Sequence, residues 1–325
     1  FGPNLPQNTS GVTLHALQKL DAAGFDFSPY ADENMNIRNL IVIFAGSLYD
    51  ESKDPNQHLQ PSSFALALTE NGPFISSDGH RANIFASCSE LKYYDDSMAN
   101  IGPCVHEVGH MLGMFDLYDL TFTTSGVGPF GVMGYGLWGS GDGSRPFQFS
   151  AYSKLKFGWV EPTIITQSKS TIDLRPIELH PNIIKLYPFG DQTSREYFLL
   201  ENRQPFGFDQ DWAEAGLCSG LLIWHIDETI IDNPEIYGVN NWSEAEWAPP
   251  HPGVTLVEAD GEFELRQPPY TQLGECEDSW QIGRIWGNSS SPKSQLWSGE
   301  DSGLSVSILG DENGVLSLEI EVEEK

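Results

Sequence analysis

The stretch that most constrains the fold of this chain is VHEVGHMLGMFD, at residues 105–116. At about 100° per residue, His106 and His110 lie one turn apart on the same face of a helix. Two imidazoles at this spacing can converge on one metal ion, which predicts a helix that holds zinc. The apolar residues on the other side of this helix predict a buried stripe: Ile101, Val105, Val108 and Leu112.

The same stretch also predicts a catalytic base and a third metal ligand. Glu107 stands between the two histidines, which suits a general base acting on a zinc-bound water. Gly113 can take the positive φ that ends the helix and lets Asp116 fold back as a third zinc ligand. Asp119 and a distant glutamate are alternatives for that ligand. Two solvent-exposed histidines without a metal are the other interpretation, but the glycine and the aspartate favour the metal.

The charge balance bounds the partners of the chain. With 17 basic and 46 acidic residues, the net charge is −29, which repels nucleic acid and anionic membranes and favours cations. The longest apolar runs, such as residues 40–45, are too short to cross a bilayer, so we expect no membrane span. A chain that starts at Phe1 is expected to be a mature, soluble form. We predict no nucleic-acid partner.

The four cysteines predict an extracellular chain with two disulfides. They lack the spacing of a zinc knuckle, and their even number in an acidic chain is compatible with pairing. We predict the pairs Cys88–Cys104 and Cys218–Cys276. Four reduced, buried thiols are the alternative.

The pattern of apolar residues changes near residues 158–162 and predicts two domains, 1–160 and 161–325. The first mixes a helix at 13–23 with a strand at 39–46 that is buried on both faces. Short strands at 82–87 and 91–94 could form an edge that pairs with an extended peptide. The second domain shows short β runs between turn residues, typical of an antiparallel sandwich. The predicted runs are 183–189, 196–201, 220–226, 254–258, 304–309 and 315–322, and residues 311–314 are predicted to form a hairpin turn between the last two. The predicted fold class is α+β, a zinc peptidase domain followed by an all-β, sandwich-like domain.

A glycine-rich segment follows the predicted zinc helix. Residues 126–143 contain eight glycines, with Met133 and Tyr135 among them. Met133 could form a hydrophobic floor under the metal, and Tyr135 could hydrogen-bond the developing oxyanion. An ordinary glycine-rich surface loop is the alternative.

Several residues of the second domain are candidates for binding. Four carboxylates near predicted strand ends could bind calcium, although a solvated acidic face is the commoner explanation. These are Asp209, Asp211, Asp227 and Asp260. His225 is interpreted as a packed or hydrogen-bonded histidine. Three tryptophans could line a sugar-binding groove or belong to the core: Trp280, Trp286 and Trp297.

With these motifs in place, the chain resembles the immune inhibitor A family of secreted zinc metalloproteases, which belong with the metzincins. The resemblance rests on HEVGHMLGMFD at 106–116, LYD at 117–119 and VMGY at 132–135. The runs at 150–160, 196–204 and 220–227 are also similar to runs in that family. Gly134 is a departure, since related turns often carry a polar residue there.

The resemblance implies a metzincin-like endopeptidase that is made with a pro-segment, exported, and bound to zinc and commonly to structural calcium. Matched residue by residue, it implies the zinc ligands His106, His110 and Asp116, the base Glu107, the turn methionine Met133 and the transition-state donor Tyr135.

We therefore expect a secreted, monomeric zinc metalloendopeptidase that acts on protein or peptide substrates. Glu107 is expected to activate the attacking water and to return the proton to the leaving amine. A catalytically idle glycan- or protein-binding module is one alternative, and a mucin or cell-wall peptidase of narrow specificity is another. The presence of Glu107 argues against the idle module.

Overall fold

The computed structural model describes residues 8–47, 59, 61–69, 72–92, 97–242, 248–271 and 273–324. Contacts between Cα atoms divide the chain into two compact units, Phe1–Gly113 and Met114–Lys325. The predicted domains 1–160 and 161–325 remain a prediction. Residues 93 and 94 of the predicted strand 91–94 lie outside the described residues.

In its described residues, the first unit contains two helices and six strands. The helices are α1 (Thr9–Ala22) and α2 (Ile101–Met111). The strands are β1 (Asn36–Ile37), β2 (Leu40–Ser47), β3 (Ser62–Ala65), β4 (Phe74–Ile75), β5 (Arg81–Ala82) and β6 (Ile84–Leu91). Short 3-10 turns lie at Ser28–Tyr30 and Leu66–Leu68. Asn8 caps α1, since its side chain accepts a hydrogen bond from the amide of Gly11 at 2.7 Å.

Two three-stranded sheets organise this unit, in the orders β1-β5-β4 and β2-β6-β3. β6 pairs in parallel with β2 and antiparallel with β3, so its backbone is already occupied on both sides. The interpretation of residues 82–87 as an edge strand is therefore wrong for β6. α2 packs on β6, and Leu14 and Leu17 of α1 share a core cluster with Phe85.

The predicted strand at residues 39–46 corresponds to β2, but its predicted burial on both faces is wrong. Ile41 is 45% exposed and Ile43 is 69% exposed, whereas Phe44 is buried. Side chains alternate between the two faces of a strand, and only the face of Phe44 is packed. An unbroken apolar run therefore did not determine how many faces are covered.

The second unit is mostly β structure. Its helices are α3 (Ala151–Lys156) and α4 (Glu228–Ile231). Its strands are β7 (Thr163–Ile165), β8 (Lys169–Leu174), β9 (Ile184–Leu186), β10 (Glu196–Arg203), β11 (Gly220–Asp227), β12 (Val254–Leu256), β13 (Ile285–Trp286), β14 (Leu304–Glu312) and β15 (Val315–Val322). The 3-10 segments are Gly128–Phe130, Tyr135–Trp138, Pro188–Gly190, Gly207–Ala215, Glu264–Arg266 and Cys276–Asp278.

These strands form a five-stranded sheet in the order β12-β11-β10-β9-β7 and a four-stranded sheet in the order β13-β14-β15-β8. Side chains of both sheets share one core cluster, which includes Leu186, Ile223, Val306 and Leu318. The pairing is antiparallel except between β7 and β9. The hairpin predicted at 311–314 joins β14 to β15, with positive φ at Asn313 and Gly314. The mixed α and β composition is confirmed, while the metzincin-like arrangement remains a prediction.

The cysteines confirm one predicted pair and correct the other. Cys218 and Cys276 form a disulfide, whereas Cys88 and Cys104 are free thiols, so the predicted Cys88–Cys104 disulfide is wrong. Cys88 on β6 donates a hydrogen bond to Cys104 on α2, which raises the pKa of Cys88 and lowers the pKa of Cys104. A hydrogen-bonded thiol pair satisfies the predicted proximity without a covalent bond. Among the described residues, no helix has both the length and the apolar character needed to cross a bilayer.

Candidate active site

The helix that carries the histidines starts and stops where its sequence allows. Asn100 precedes α2, and Pro103 lies in its first turn, where an amide proton would have no partner in the helix. The helix ends at Met111, and Gly113 takes a φ of 98°, as predicted. A residue with a Cβ would be strained in that conformation. The chain therefore turns sharply just before Asp116.

The buried side of α2 is the side that carries His106. The apolar stripe predicted for this helix, which includes Ile101 and Leu112, is not fully buried. His106 and Glu107 are buried, together with Gly102 and Gly109. Ile101 is 48% exposed and Leu112 is 44% exposed, so the prediction that they are buried is wrong. Residues 102, 106 and 109 share one helical face, and the two glycines allow close packing there. The packed face of α2 thus carries the two glycines, while Ile101 and Leu112 lie on an exposed face.

The three predicted metal ligands lie together. One ligand atom from each of His106, His110 and Asp116 lies within 4.8 Å of the other two. The rings of the two histidines are 4.8 Å apart between centroids and 89° from coplanar, so they do not stack. This set offers two imidazole nitrogens and one carboxylate oxygen, which is a donor set that catalytic zinc accepts.

Leu117, the residue that follows Asp116, is held in place by three hydrogen bonds of its backbone. The amide of Leu117 donates to the carbonyl of Met133 at 2.8 Å. The carbonyl of Leu117 accepts from the amide of Val127 at 3.0 Å and from Nδ2 of Asn240 at 2.8 Å. Leu117 is itself fully buried. The position of Asp116 is therefore supported by Met133, which the sequence analysis named, and by Val127 and Asn240, which it did not.

Asp119, the alternative third ligand, is engaged elsewhere. Its Oδ1 accepts from the amide and hydroxyl of Thr121, at 2.8 and 2.7 Å. Its Oδ2 accepts from the amides of Thr123 and Thr124, at 3.2 and 2.9 Å. The side chain is fully buried. Asp119 thus organises the loop that follows the site.

The glycine-rich segment is buried over residues 126–134, whereas Trp138 and residues 140–142 are exposed. Met133 and Phe130 are both fully buried. A Cβ at Gly134 would lie 2.6 Å from the carbonyl oxygen of Gly128, so only glycine fits there. This close approach gives a physical reason for the glycine that departs from the family pattern. The buried Arg203 supports the turn, since its Nη1 donates to the carbonyl of Phe130 at 3.1 Å.

Tyr135 follows this turn and carries an unused hydroxyl group. The hydroxyl is buried, and no hydrogen-bond partner reaches it among the described residues. Burial raises the pKa of Tyr135, so the hydroxyl stays protonated and can donate. The ring of Tyr118 lies 6.1 Å away between centroids. A buried donor without an acceptor is compatible with the predicted role, which remains a prediction.

A comparison with known families covers the segment that carries this geometry. Residues 83–160 match the family described as Immune inhibitor A peptidase M6, catalytic domain. The predicted family resemblance is confirmed. The match to this catalytic domain supports a metallopeptidase, and it includes the histidines, Glu107, Asp116 and Tyr135. A search of curated proteins finds no match to the chain.

The calcium candidates of this immune inhibitor A-like chain do not lie together. Asp209 is fully buried and accepts from Arg203, with Nε at 2.9 Å from its Oδ2. Asp211 forms an ion pair with Arg145. Asp227 caps α4 by accepting from the amide of Thr229 at 2.7 Å. Of the four candidates, only Asp260 belongs to a group of described residues whose ligand atoms are close enough to hold one metal ion.

That second group consists of Glu258, Asp260, Glu264 and Asp278, and one oxygen of each lies within 4.8 Å of the others. Burial raises the pKa of Glu258 to about 10 and the pKa of Asp278 to about 8. The sequence analysis named Asp260 alone and missed the other three. Their signal is weak in the sequence, because they come from separate turns of the chain.

The histidine and tryptophans singled out in the second unit have mainly structural surroundings. His225 accepts or donates one hydrogen bond with Glu196 at 2.7 Å and stacks on Phe198 and Trp297. This confirms its interpretation as a packed histidine. Trp280 and Trp286 are buried in the core between the sheets, whereas Trp297 lines a cavity. A sugar-binding groove lined by all three tryptophans is therefore wrong.

Proposed function

We propose that this chain is a zinc-dependent endopeptidase that hydrolyses peptide bonds of protein substrates. The observation that carries the proposal is the approach of His106, His110 and Asp116 to within 4.8 Å of one another, at the end of one helix. Glu107 lies between the two histidines in the sequence and is buried with His106. The match to a peptidase catalytic domain over residues 83–160 supports the same reaction class.

The donor set fits zinc better than it fits a hard cation. Zinc favours nitrogen and single carboxylate ligands, and its catalytic sites use three protein ligands with one position left open. Calcium and magnesium prefer oxygen atoms alone. Bound by these three residues, zinc would polarise the scissile carbonyl and make water a better nucleophile at neutral pH.

Glu107 is proposed to move the proton. Its carboxylate accepts a proton from the attacking water and then returns that proton to the nitrogen of the leaving amine. The small exposure of Glu107, 9%, keeps bulk water away from this transfer. The hydroxyl of Tyr135 is proposed to donate a hydrogen bond to the carbonyl oxygen as negative charge develops on it. Burial raises the pKa of Tyr135, so its hydroxyl stays protonated and can donate in this step.

We further propose that the protein acts outside the cell as a monomer and binds structural calcium. The Cys218–Cys276 disulfide supports an oxidising compartment, because such bonds are rare in reducing cytosol. The high negative charge supports the binding of cations. A pro-segment is an expectation that comes from the family resemblance alone.

The proposal is tested by replacing Glu107 with glutamine in the purified full chain. Loss of the base should lower kcat/KM for casein cleavage by about 10²–10⁴-fold. Zinc content, measured by mass spectrometry of the element, should remain at one ion per chain, since Glu107 is not a ligand. Glu90→Gln is a matched control, because Glu90 is exposed on β6 in the same unit. Unchanged cleavage by Glu107→Gln would remove the proposed role.

A further inference from the structure

Four carboxylates converge in the second unit, outside the residues proposed for catalysis. Glu258 and Asp260 follow β12, Glu264 begins one 3-10 turn, and Asp278 ends another. One oxygen from each lies within 4.8 Å of the other three. Carboxylates this close repel one another unless a proton or a cation lies between them.

The buried members of this group have oxygens that receive no hydrogen bond. Glu258 and Asp278 are both fully buried. No donor among the described residues reaches either oxygen of Glu258, Oε2 of Glu264 or Oδ1 of Asp278. Buried polar atoms are nearly always satisfied in native proteins, so these oxygens point to a missing partner.

Backbone amides nearby donate hydrogen bonds to one oxygen of Asp278 and one oxygen of Asp260. Oδ2 of Asp278 accepts from the amide of Glu275 at 2.7 Å. Oδ1 of Asp260 accepts from the amide of Glu262 at 3.0 Å. These contacts orient the two aspartates and leave the centre of the group without a donor.

A basic side chain does not fill that centre either. Within the described part of the chain, none of the four carboxylates forms an ion pair with lysine, arginine or histidine. Arg266 is the nearest candidate in sequence, but its guanidinium lies over the ring of Phe263 at 4.2 Å. Its Nε atom has no acceptor. Arg266 attracts Glu258 without forming an ion pair with it, and without a cation the hydrogen bond between Glu258 and Glu264 requires a proton on one of the two carboxylates. Within the described residues, no basic side chain therefore takes the place of a cation among the four carboxylates.

We propose that Glu258, Asp260, Glu264 and Asp278 bind one hard divalent cation of the calcium class. The ligand set contains oxygen alone, which excludes the nitrogen and sulfur preferences of zinc and copper. Calcium–oxygen distances of about 2.3–2.6 Å place opposite ligands about 5 Å apart, which matches the spread of these atoms. Magnesium needs a smaller, nearly octahedral shell and keeps most of its water, so calcium should bind more tightly.

The chain around the group is shaped to bring the carboxylates together. The amide of Ala259 donates to the carbonyl of Asp278 at 3.0 Å, which joins the two segments. Gly274 has a φ of 83°, and a Cβ there would lie 2.9 Å from Oδ2 of Asp278. The disulfide from Cys276 to Cys218 anchors the turn that ends at Asp278. A bound cation would tie these turns together and stabilise the second unit.

The test uses the full chain carrying Glu107→Gln, so that self-cleavage does not affect the result. The protein is held in zinc-containing, calcium-free buffer and titrated with CaCl₂ or MgCl₂ by calorimetry and by thermal unfolding. We expect one equivalent of calcium to bind and to raise the Tm, with a much weaker response to magnesium. The assignment rests on the structural calcium proposed above and gives it a location. Its outcome does not depend on catalysis, so it can fail while the proposed peptidase activity stands.

Variants then locate the ion. Glu258→Gln and Asp278→Asn should each weaken calcium binding by at least about tenfold, since even indirect partners of metal ligands contribute that much. Asp260→Asn, at a partly exposed ligand, serves if the buried variants do not fold. Glu262→Gln is the matched control, because Glu262 is exposed in the same loop. Absence of calcium binding, or equal affinities in Asp260→Asn and Glu262→Gln, would overturn the assignment.

Discussion

Two groups of side chains proposed to bind metal differ in how the chain assembles them. His106, His110 and Asp116 lie within eleven consecutive residues, while the four carboxylates are spread over residues 258–278. The first group combines nitrogen with oxygen, and the second offers oxygen only. Helical periodicity can therefore predict a candidate metal site from the sequence, whereas a candidate site built from separate turns is recognised only once the fold is known.

The largest expected effect tests the third ligand of the first group. Asp116→Ala should lower zinc affinity by more than about 100-fold and abolish casein cleavage. A residue that binds the metal directly contributes more to affinity than the residues that orient it, whose loss costs about 10–100-fold. Asp116→His should retain zinc, since imidazole is a common zinc ligand. Zinc content and cleavage rates of both variants are measured together. Full zinc occupancy in Asp116→Ala would show that the ligand lies elsewhere.

The second prediction concerns the disulfide that anchors the carboxylate group. Replacing both Cys218 and Cys276 by alanine should lower the free energy of unfolding by about 2–5 kcal/mol, because the bond closes a loop between residues 58 apart. Urea unfolding measures the change, with calcium absent from all samples. Cys88→Ala is the control and should cost about 1 kcal/mol, as a buried side chain loses volume.

Alkylation of the denatured, unreduced protein checks the same assignment directly. Iodoacetamide should label Cys88 and Cys104 and leave Cys218 and Cys276 unlabelled. Protection of Cys88 and Cys104 would restore the pairing that the structure contradicts.

The third prediction separates a carboxylate that binds metal from one that holds the backbone. Asp119→Asn should lower the free energy of unfolding by about 1–3 kcal/mol, because charged hydrogen bonds to threonines are lost. Zinc content should be unchanged, in contrast to Asp116→Ala. A variant that loses zinc while it keeps its stability would contradict this division of roles.

The smallest effect concerns a histidine outside both groups. Burial lowers the pKa of His225 below its ordinary 6.5, despite the hydrogen bond with Glu196 that opposes this shift. Between the folded pKa and about pH 6.5, His225 is therefore protonated less in the folded chain than in the unfolded chain. His225 contributes its full stability above that pH and loses it as the pH falls toward the folded pKa.

The measurement compares urea unfolding at several pH values between 7.5 and 5 for the wild type and His225→Gln. One proton limits the contribution of His225 to about 1.4 kcal/mol per pH unit. The slope of stability against pH should be shallower in the variant, since the other titrating groups are shared. Equal slopes would mean that His225 does not titrate differently on folding.

Much of the fold was predictable where local signals agree. The strand at 315–322 and the hairpin before it follow from alternation and from Asn313-Gly314, and the structure confirms both. The turn at Gly113 was predictable because glycine readily takes the positive φ that ends a helix, and its φ is 98°. By contrast, β7 and β8 carry weak alternation, and the sequence analysis missed them.

Burial was the property most often predicted wrongly. Ile41, Ile43 and Ile101 are apolar but exposed, while Glu258 and Arg203 are charged but fully buried. Hydrophobicity describes the side chain alone, and burial depends on which neighbours the remote parts of the chain supply. Cys88 and Cys104 also lie together as free thiols, although a disulfide between them was predicted.

The sequence by itself placed His106 and His110 side by side, because a four-residue spacing on a helix does so whatever surrounds them. It left Asp116, Asp119 and a distant glutamate open as the predicted third ligand. The tertiary structure alone decided the rest. It showed that Asp119 organises a loop, that Leu117 and Asn240 support Asp116, and that four distant carboxylates converge. These contacts join residues far apart in the chain, and no local periodicity encodes such a meeting.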